Sequence, residues 1–380
     1  MLGTTSPADL HGLLEKIHAT KVQLVLEFTG AGSASLAWLH SLGGSSRTVL
    51  EASDRYATSS LADAIGYMPD KFTGADTSVA LARVARSRAR FLAGEGSPVI
   101  GVAASATIAT DRSKRGQHRA VIAQTGPLGV QLLELVLDKG ARDRAGEEEL
   151  VSRLILSAIA DGCGLLERPG LGLGAGDDLA ESFRPDDDAV RLLEQDGALL
   201  VRPDLAVEGA AGLSGRLILS GSFNPLHEGH LGLAAAAAEL TGLEPVFELP
   251  LRNADKPLLD LAETQRRAMQ FAGQAPLLLT REPLFVGKAR LFPGSTFVIG
   301  ADTATRLLDP RFYGPEGPGE ALRELDALGA RFLVAGRKRG DGFAVLGELA
   351  VPAEHAHLFS EVAGFRNDIS STELRAGRRG

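Results

Sequence analysis

Residues Gly221 to His230 read Gly-Ser-Phe-Asn-Pro-Leu-His-Glu-Gly-His and directly follow the apolar run Leu217-Ile218-Leu219. A short apolar run ending in a Gly/Ser turn predicts a buried strand at Leu217 to Ser220. The alanine-rich stretch after it has high intrinsic helix propensity and predicts a helix over His230 to Leu240. Outward from this unit the alternation continues. Strands are predicted at Pro245 to Leu249, Leu277 to Thr280, Thr296 to Ile299 and Phe332 to Ala335. Helices are predicted at Leu261 to Ala272, at Gly319 to Leu328 and from near Ser370. Such alternation implies a doubly wound parallel sheet covered on both faces, with ligands bound at the C-terminal strand ends, where Gly221 sits.

The first half also alternates between strand and helix. Lys21 to Phe28 reads as a buried strand, followed by Thr29-Gly30-Ala31-Gly32 and a helical pattern through Leu36, Trp38 and Leu39. Thr48 to Glu51 is a short strand. Thr77 to Leu92 has apolar positions at helical spacing with arginines on the other face. Apolar runs at Ser97 to Ala104 and Ala120 to Gln124 follow. A helix is predicted at Glu147 to Ile159, with Glu147, Glu148 and Glu149 in its first turn, where negative charge suits the helix dipole. From Glu167 to about Asp188 the pattern breaks into Pro169, a run of glycines and several aspartates. No strand precedes these glycines and the carboxylates would repel phosphate, so a loop or linker is expected rather than a dinucleotide-binding turn. The resulting division is a domain at 1–166, a linker and excursion at 167–213, and a second domain at 214–380.

The 380 residues are 44% hydrophobic, with mean hydropathy near zero, ample for two cores. The single cysteine, Cys163, excludes a disulfide framework and a multi-cysteine zinc site, and points to a reducing, cytoplasmic setting. No secretory signal or membrane-spanning run is evident. From Arg216 onward there are 19 Lys+Arg against 20 Asp+Glu, so most of the net charge of −8 belongs to the first half. That acidic balance argues against nucleic-acid binding there. A near-neutral second half with clustered arginines suits a small phosphorylated ligand.

The chemistry these residues suit is attack of an acceptor phosphate on the α-phosphorus of a nucleoside triphosphate. The nucleophile is already anionic, so positioning and charge stabilisation do the work. Gly221, Ser222 and Phe223 open the loop after the strand, where backbone N–H groups can approach phosphate. His227 and His230 share one face of a helix start, where an anion is favoured. Gly229 keeps side-chain bulk away. Near the C-terminus, Ile369 to Arg375 read Ile-Ser-Ser-Thr-Glu-Leu-Arg. Ser370 and Glu373 fit a capping box, leaving Ser371 and Thr372 as first-turn donors and Arg375 to fork onto phosphate.

These two motifs resemble those of the HxGH nucleotidyltransferase superfamily over about residues 215 to 377. The Ile-Ser-Ser-Thr-x-x-Arg ending resembles its nicotinamide or nicotinate mononucleotide adenylyltransferase branch. The resemblance implies a Rossmann-like α/β fold and transfer of AMP from ATP to a pyridine mononucleotide, with pyrophosphate released. Magnesium would be held through the substrate phosphates, without a dedicated protein metal site. By the same resemblance His227, His230 and Arg375 are catalytic, and Ser370, Ser371 and Thr372 bind the triphosphate. Asn253, Asp255 and Lys256 resemble the segment near the acceptor; Lys256 either neutralises phosphate or is a solvated loop lysine. Gly300-Ala301-Asp302 matches the branch's Gly-Ala-Asp, with Asp302 accepting from a ribose hydroxyl or ring amide, or capping a helix. The branch's stacking tryptophan is absent. Phe312 and Tyr313 occupy its neighbourhood, as stacking groups or loop anchors.

Residues from about Val22 to Leu166 resemble the CinA C-terminal domain, a nicotinamide mononucleotide deamidase family with an α/β sandwich. The cues are Glu27-x-Thr29-Gly30, Gly43-Gly44-Ser45-Ser46, Tyr56 and Ile100-Gly101-Val102-Ala103. Phe28 stands in or beside the family's serine slot and Leu61 near its lysine, so a catalytically degenerate half is expected. Ser33 and Ser35 remain as spare hydroxyls. A nucleotide-binding or dimerising role, with a homo-oligomer built through this half, stays open. Expected partners are ATP and a phosphorylated small-molecule acceptor, not nucleic acid or membrane. The rivals are a cytidylyltransferase acting on a phosphorylated alcohol and a non-catalytic nucleotide sensor.

Overall fold

Two sheets, each with its own core, organise the chain. A computed structural model describes residues 7–111, 115–210, 212–252, 258–313, 317–339, 342–344, 347 and 349–362. Among them, one unit takes what lies within Met1–Ala189, Pro203–Ala206 and Leu261–Gln274; the other takes Val190–Arg202, Val207–Asp260 and Ala275–Gly380. No helix among the described residues is long and apolar enough to cross a membrane.

The first unit begins with α1 (Pro7–Ala19), β1 (Gln23–Thr29), α2 (Ser33–His40), α3 (Ser45–Thr48), β2 (Val49–Asp54), α4 (Thr58–Ile65) and α5 (Ala75–Ala93). It continues with β3 (Val99–Thr107), β4 (His118–Thr125), β5 (Gly129–Leu137), α6 (Arg144–Gly162) and β6 (Asp178–Pro185). The sheet order is β2-β1-β3-β4-β5-β6. The β2-β1-β3 pairs are parallel and β3 to β6 pair antiparallel. The short connections from β3 to β4 and from β4 to β5 suit antiparallel pairing, and β6 joins β5 antiparallel after α6. β1 and β3 are almost wholly buried, as their unbroken apolar runs require. Gly101 lets α5 lie close on β3: a Cβ there would meet the Ala82 carbonyl oxygen at 2.1 Å.

The second unit takes most of α7 (Asp187–Asp196), then β7 (Ala198–Val201), β8 (Val207–Gly209), β9 (Leu217–Ser220), α8 (Glu228–Thr241) and β10 (Pro245–Pro250). After α9 (Leu261–Met269) come β11 (Leu277–Thr280), α10 (Phe285–Leu291), β12 (Thr296–Gly300), α11 (Ala301–Leu307), a 3-10 turn at Pro310–Phe312 and α12 (Pro318–Ala327). β13 (Arg331–Ala335), the ribbon β14 (Arg337–Arg339) and β15 (Gly342–Ala344), and β16 (Phe359–Glu361) close the unit. The sheet runs β16-β13-β12-β9-β10-β11-β7-β8. Its first six strands are parallel; β7 and β8 add an antiparallel edge. Numbered in chain order, the parallel strands lie 3-2-1-4-5-6, the doubly wound arrangement with its switch point between β9 and β12. Phe285, Phe297, Phe332 and Phe359 stack through its core, with ring centroids 5.1 to 5.8 Å apart.

Two features differ from the sequence-based expectation. The stretch 167–213, expected as a linker and excursion, supplies β6 to one sheet and β7 and β8 to the other. β6 is an edge strand with most positions exposed, so it carries no hydrophobic alternation to reveal it. The helix α9, expected inside the second domain, belongs to the first unit. Gln265 on α9 accepts the Leu128 N–H at 3.0 Å, and its amide fills the space over Gly126.

Cys163, at the end of α6, is buried, and burial pushes its thiol up to about 12. Native protein at pH 8 is therefore expected to resist iodoacetamide, while denatured protein labels fully at this one site. Mass spectrometry of both samples checks this; rapid labelling of the native protein would contradict the packing around α6.

Candidate functional site

The candidate site forms where the central strand β9 ends. Gly221 leaves that strand with its N–H donated to the Glu248 carbonyl oxygen of β10 at 2.9 Å. This N–H is therefore spent on the sheet, not held for phosphate as the sequence suggested. The glycine is needed for a different reason. A Cβ there would meet the Phe223 ring at 2.7 Å. Phe223 turns the chain with a left-handed φ of 44° and is fully buried. A non-glycine residue adopts that backbone at some cost, about 1–3 kcal/mol, when its surroundings hold it there. Here the hold is aromatic. The Phe223 ring packs edge-on against Phe247 and His230, at 5.5 and 5.1 Å between centroids.

His227 caps α8 with extended backbone, and His230 is its third helical residue. The two rings stack at 3.8 Å between centroids. The Nδ1 of His230 accepts the His227 backbone N–H at 3.3 Å. That bond puts the proton of a neutral His230 on Nε2, leaving Nε2–H to donate elsewhere. The helix start thus offers imidazole and first-turn N–H donors together, a setting that favours an anion. Both rings are half-buried, Gly229 is buried and Ser222 is exposed.

Across the switch point, β12 pairs with β9 in the register Val298↔Leu219. Gly300-Ala301-Asp302 consequently leaves the sheet beside Gly221. Gly300, not Asp302, is the N-cap of α11, so the capping alternative for Asp302 is not the one adopted; Asp302 is exposed in the first turn. Tyr313 donates its hydroxyl to the Leu307 carbonyl oxygen at 2.8 Å, and burial holds its phenol above the usual range. It anchors the loop after α11. Phe312 ends the 3-10 turn, and its side chain lies outside the description. Asn253, Asp255, Lys256, Ser370, Ser371, Thr372, Glu373 and Arg375 also lie outside the described residues.

Sequence reasoning missed a polar cluster beneath the site. The buried Glu248 carboxylate takes the Thr280 hydroxyl on one oxygen and the buried Lys288 ammonium, at 2.8 Å, on the other. Its only sequence signal is a carboxylate inside the apolar strand Val-Phe-Glu-Leu-Pro. Among the described residues, no group of three or more His, Cys, Asp or Glu side chains could hold a metal ion.

In the first unit the positions compared with a deamidase are packed or engaged. Phe28 and Leu61 are core residues. Ser33 donates its hydroxyl to Glu148 at 2.9 Å, and Ser35 donates to the Gly32 carbonyl oxygen at 2.6 Å. The Glu148 carboxylate also accepts the N–H groups of Gly32 and Ala34, filling the start of α2 with an internal anion. Burial, and then the Glu148 charge, hold the Asp54 carboxyl above the usual carboxylate range.

Residues 218–377 match the protein family described as cytidylyltransferase-like. This cytidylyltransferase-like family is part of the HxGH nucleotidyltransferase superfamily, and the matched segment contains His227-Glu228-Gly229-His230. Two solved structures resemble the N-terminal part. One is the competence/damage inducible protein CihA from Agrobacterium tumefaciens, with 16% identity, a TM-score of 0.30, and coverage of 41% of this chain and 95% of that one. The other is a CinA superfamily protein from Escherichia coli, with 10% identity, a TM-score of 0.30, and coverage of 42% and 94%. No curated protein sequence gives a significant match.

Two substitutions probe the site's support. Lys288→Met leaves Glu248 buried without its cation and is expected to cost about 3–5 kcal/mol in urea unfolding, most of it recovered by adding Glu248→Gln. Gly221→Ala is expected to cost about 1–3 kcal/mol by overpacking against Phe223. A midpoint unchanged in either single variant would contradict the packing described.

Proposed function

We propose that the C-terminal half transfers AMP from ATP to a pyridine mononucleotide, nicotinamide or nicotinate mononucleotide, and releases pyrophosphate. The observation that carries this reading is the stacked His227–His230 pair on a helix start at the switch point of a doubly wound sheet. The choice of adenylyl transfer rests on the Ile369 to Arg375 sequence. The choice of acceptor rests on Gly300-Ala301-Asp302 and on the fusion to a CinA-like half.

A phosphate oxygen of the acceptor attacks the α-phosphorus. The bond from that phosphorus to the α,β-bridging oxygen breaks, and pyrophosphate leaves with the electron pair. No proton needs to move, so no general base is required. The His230 Nε2–H and the His227 ring donate to phosphate oxygens as charge shifts towards the leaving group. Ser371, Thr372 and Arg375 supply further donors to the triphosphate. Magnesium held through the triphosphate oxygens would screen the remaining charge. Asp302 accepts from the acceptor, and Asn253 and Lys256 hold its phosphate. Phe312 stacks on the ring or, like Tyr313, anchors the loop. In the first half, the engaged Ser33 and Ser35 hydroxyls support a role other than deamidation.

Pyrophosphate release from ATP or CTP, with magnesium and a panel of phosphorylated acceptors, tests the proposal. ATP with a pyridine mononucleotide is expected to be the productive pair. His227→Ala is expected to lower turnover about a hundredfold or more. CTP with a phosphorylated alcohol as the only productive pair would replace the reading with cytidylyl transfer. Tight nucleotide binding without pyrophosphate release would replace it with a sensor.

A further inference from the structure

The first unit carries an arginine cluster that nucleotidyl transfer does not use. α5 places Arg83, Arg86, Ser87 and Arg90 along one stripe, at successive helical spacings. They line a cavity of about 200 Å³ whose other wall is the β4–β5 turn, with Gly126 and Gly129, and the side chain of Asp186.

Arg86 forms the inner wall. Its guanidinium donates to the carbonyl oxygens of Gly126, at 2.8 Å, and Leu205, at 3.1 Å, while its buried Nε has no partner. It has carbonyls where a buried guanidinium usually has a carboxylate. Burial, and next the Arg90 charge, pull its pKa down to about 10 against the attraction of Asp186. Arg83 and Arg90 are exposed and form no ion pair among the described residues. The nearby arginines differ: Arg88 is paired with Glu51 and Arg184 with Asp76. Asp186 is the one acidic side chain lining the cavity, and one of its oxygens already accepts the Asp188 N–H at 3.1 Å. Three guanidinium groups therefore face a single, partly engaged carboxylate, on a half of the chain that is otherwise acidic.

We propose that this cavity binds a small polyvalent oxyanion, namely a phosphate or diphosphate group. Arginine forks match the several acceptor oxygens of a phosphate, and its two negative charges suit a cluster of three arginines better than one would. The cavity is smaller than the usual range for whole organic ligands, so a nucleoside would have to remain outside it. The anion is either free in solution or the charged end of a larger molecule.

Calorimetric titration of the full chain, without magnesium, separates these cases using inorganic phosphate, inorganic pyrophosphate and AMP. Saturable binding is expected for at least one of the three. It should weaken about tenfold or more in Arg83→Ala/Arg90→Ala. Those side chains are exposed, so the double variant is expected to fold. Asp186→Asn should tighten binding, and His227→Ala should leave this binding event intact, which separates it from any pyrophosphate held by the transferase site. Tighter binding of AMP than of the inorganic anions, lost in the same double variant, identifies the end of a larger ligand; the reverse order identifies a free anion. Absence of saturable binding of all three at millimolar concentration, or isotherms unchanged in the double variant, would overturn the site.

Discussion

The hydrogen bond from the Gly221 N–H to the Glu248 carbonyl fixes where the central strand stops and the functional loop begins. Everything at the site is placed relative to that point. Phe223 can fold back under the loop because position 221 lacks a side chain. The buried Phe223 ring then supports His230, and His230 in turn holds the start of α8 through the His227 N–H. The carboxylate of the same Glu248 is a buried charge, tolerable because a hydroxyl and an ammonium both reach it. The site therefore rests on a polar anchor set in an aromatic and aliphatic core.

The C-terminal fold was legible because its strands are short apolar runs separated by amphipathic or alanine-rich helices, the pattern a doubly wound sheet imposes. The histidine pair was legible because its spacing is local. What escaped was set by tertiary neighbours. β6 has one pairing partner and an exposed face, so its sequence resembles a polar loop. Glu148 looked like a dipole-complementing surface residue, yet it caps another helix. Glu147, in the same first turn, is buried and holds His118 at 2.7 Å. A glycine directly after a strand often serves phosphate, and the sequence alone points Gly221 to that end. Only the Phe223 ring reveals the closer steric reason.

The two halves treat anions in opposite ways. At α8 the helix start carries the His227 and His230 rings, with Glu228 in its first turn. At α2 an equivalent helix start is satisfied by Glu148 from the same unit. An internal carboxylate of this kind competes with any external phosphate at that position, and it does so at intramolecular concentration. The start of α2 is thus already occupied by a carboxylate of its own unit.

The path of the chain has a consequence for how this protein could have been assembled or could be dissected. Residues 203–206 and 261–274 return to the first unit after the backbone has already entered the second. A single scissile boundary between the halves does not exist. Cutting after residue 213 would strip the first unit of Gln265 and of the segment lying over Gly164. The two units are interleaved along the chain, so excising either one also removes residues of the other.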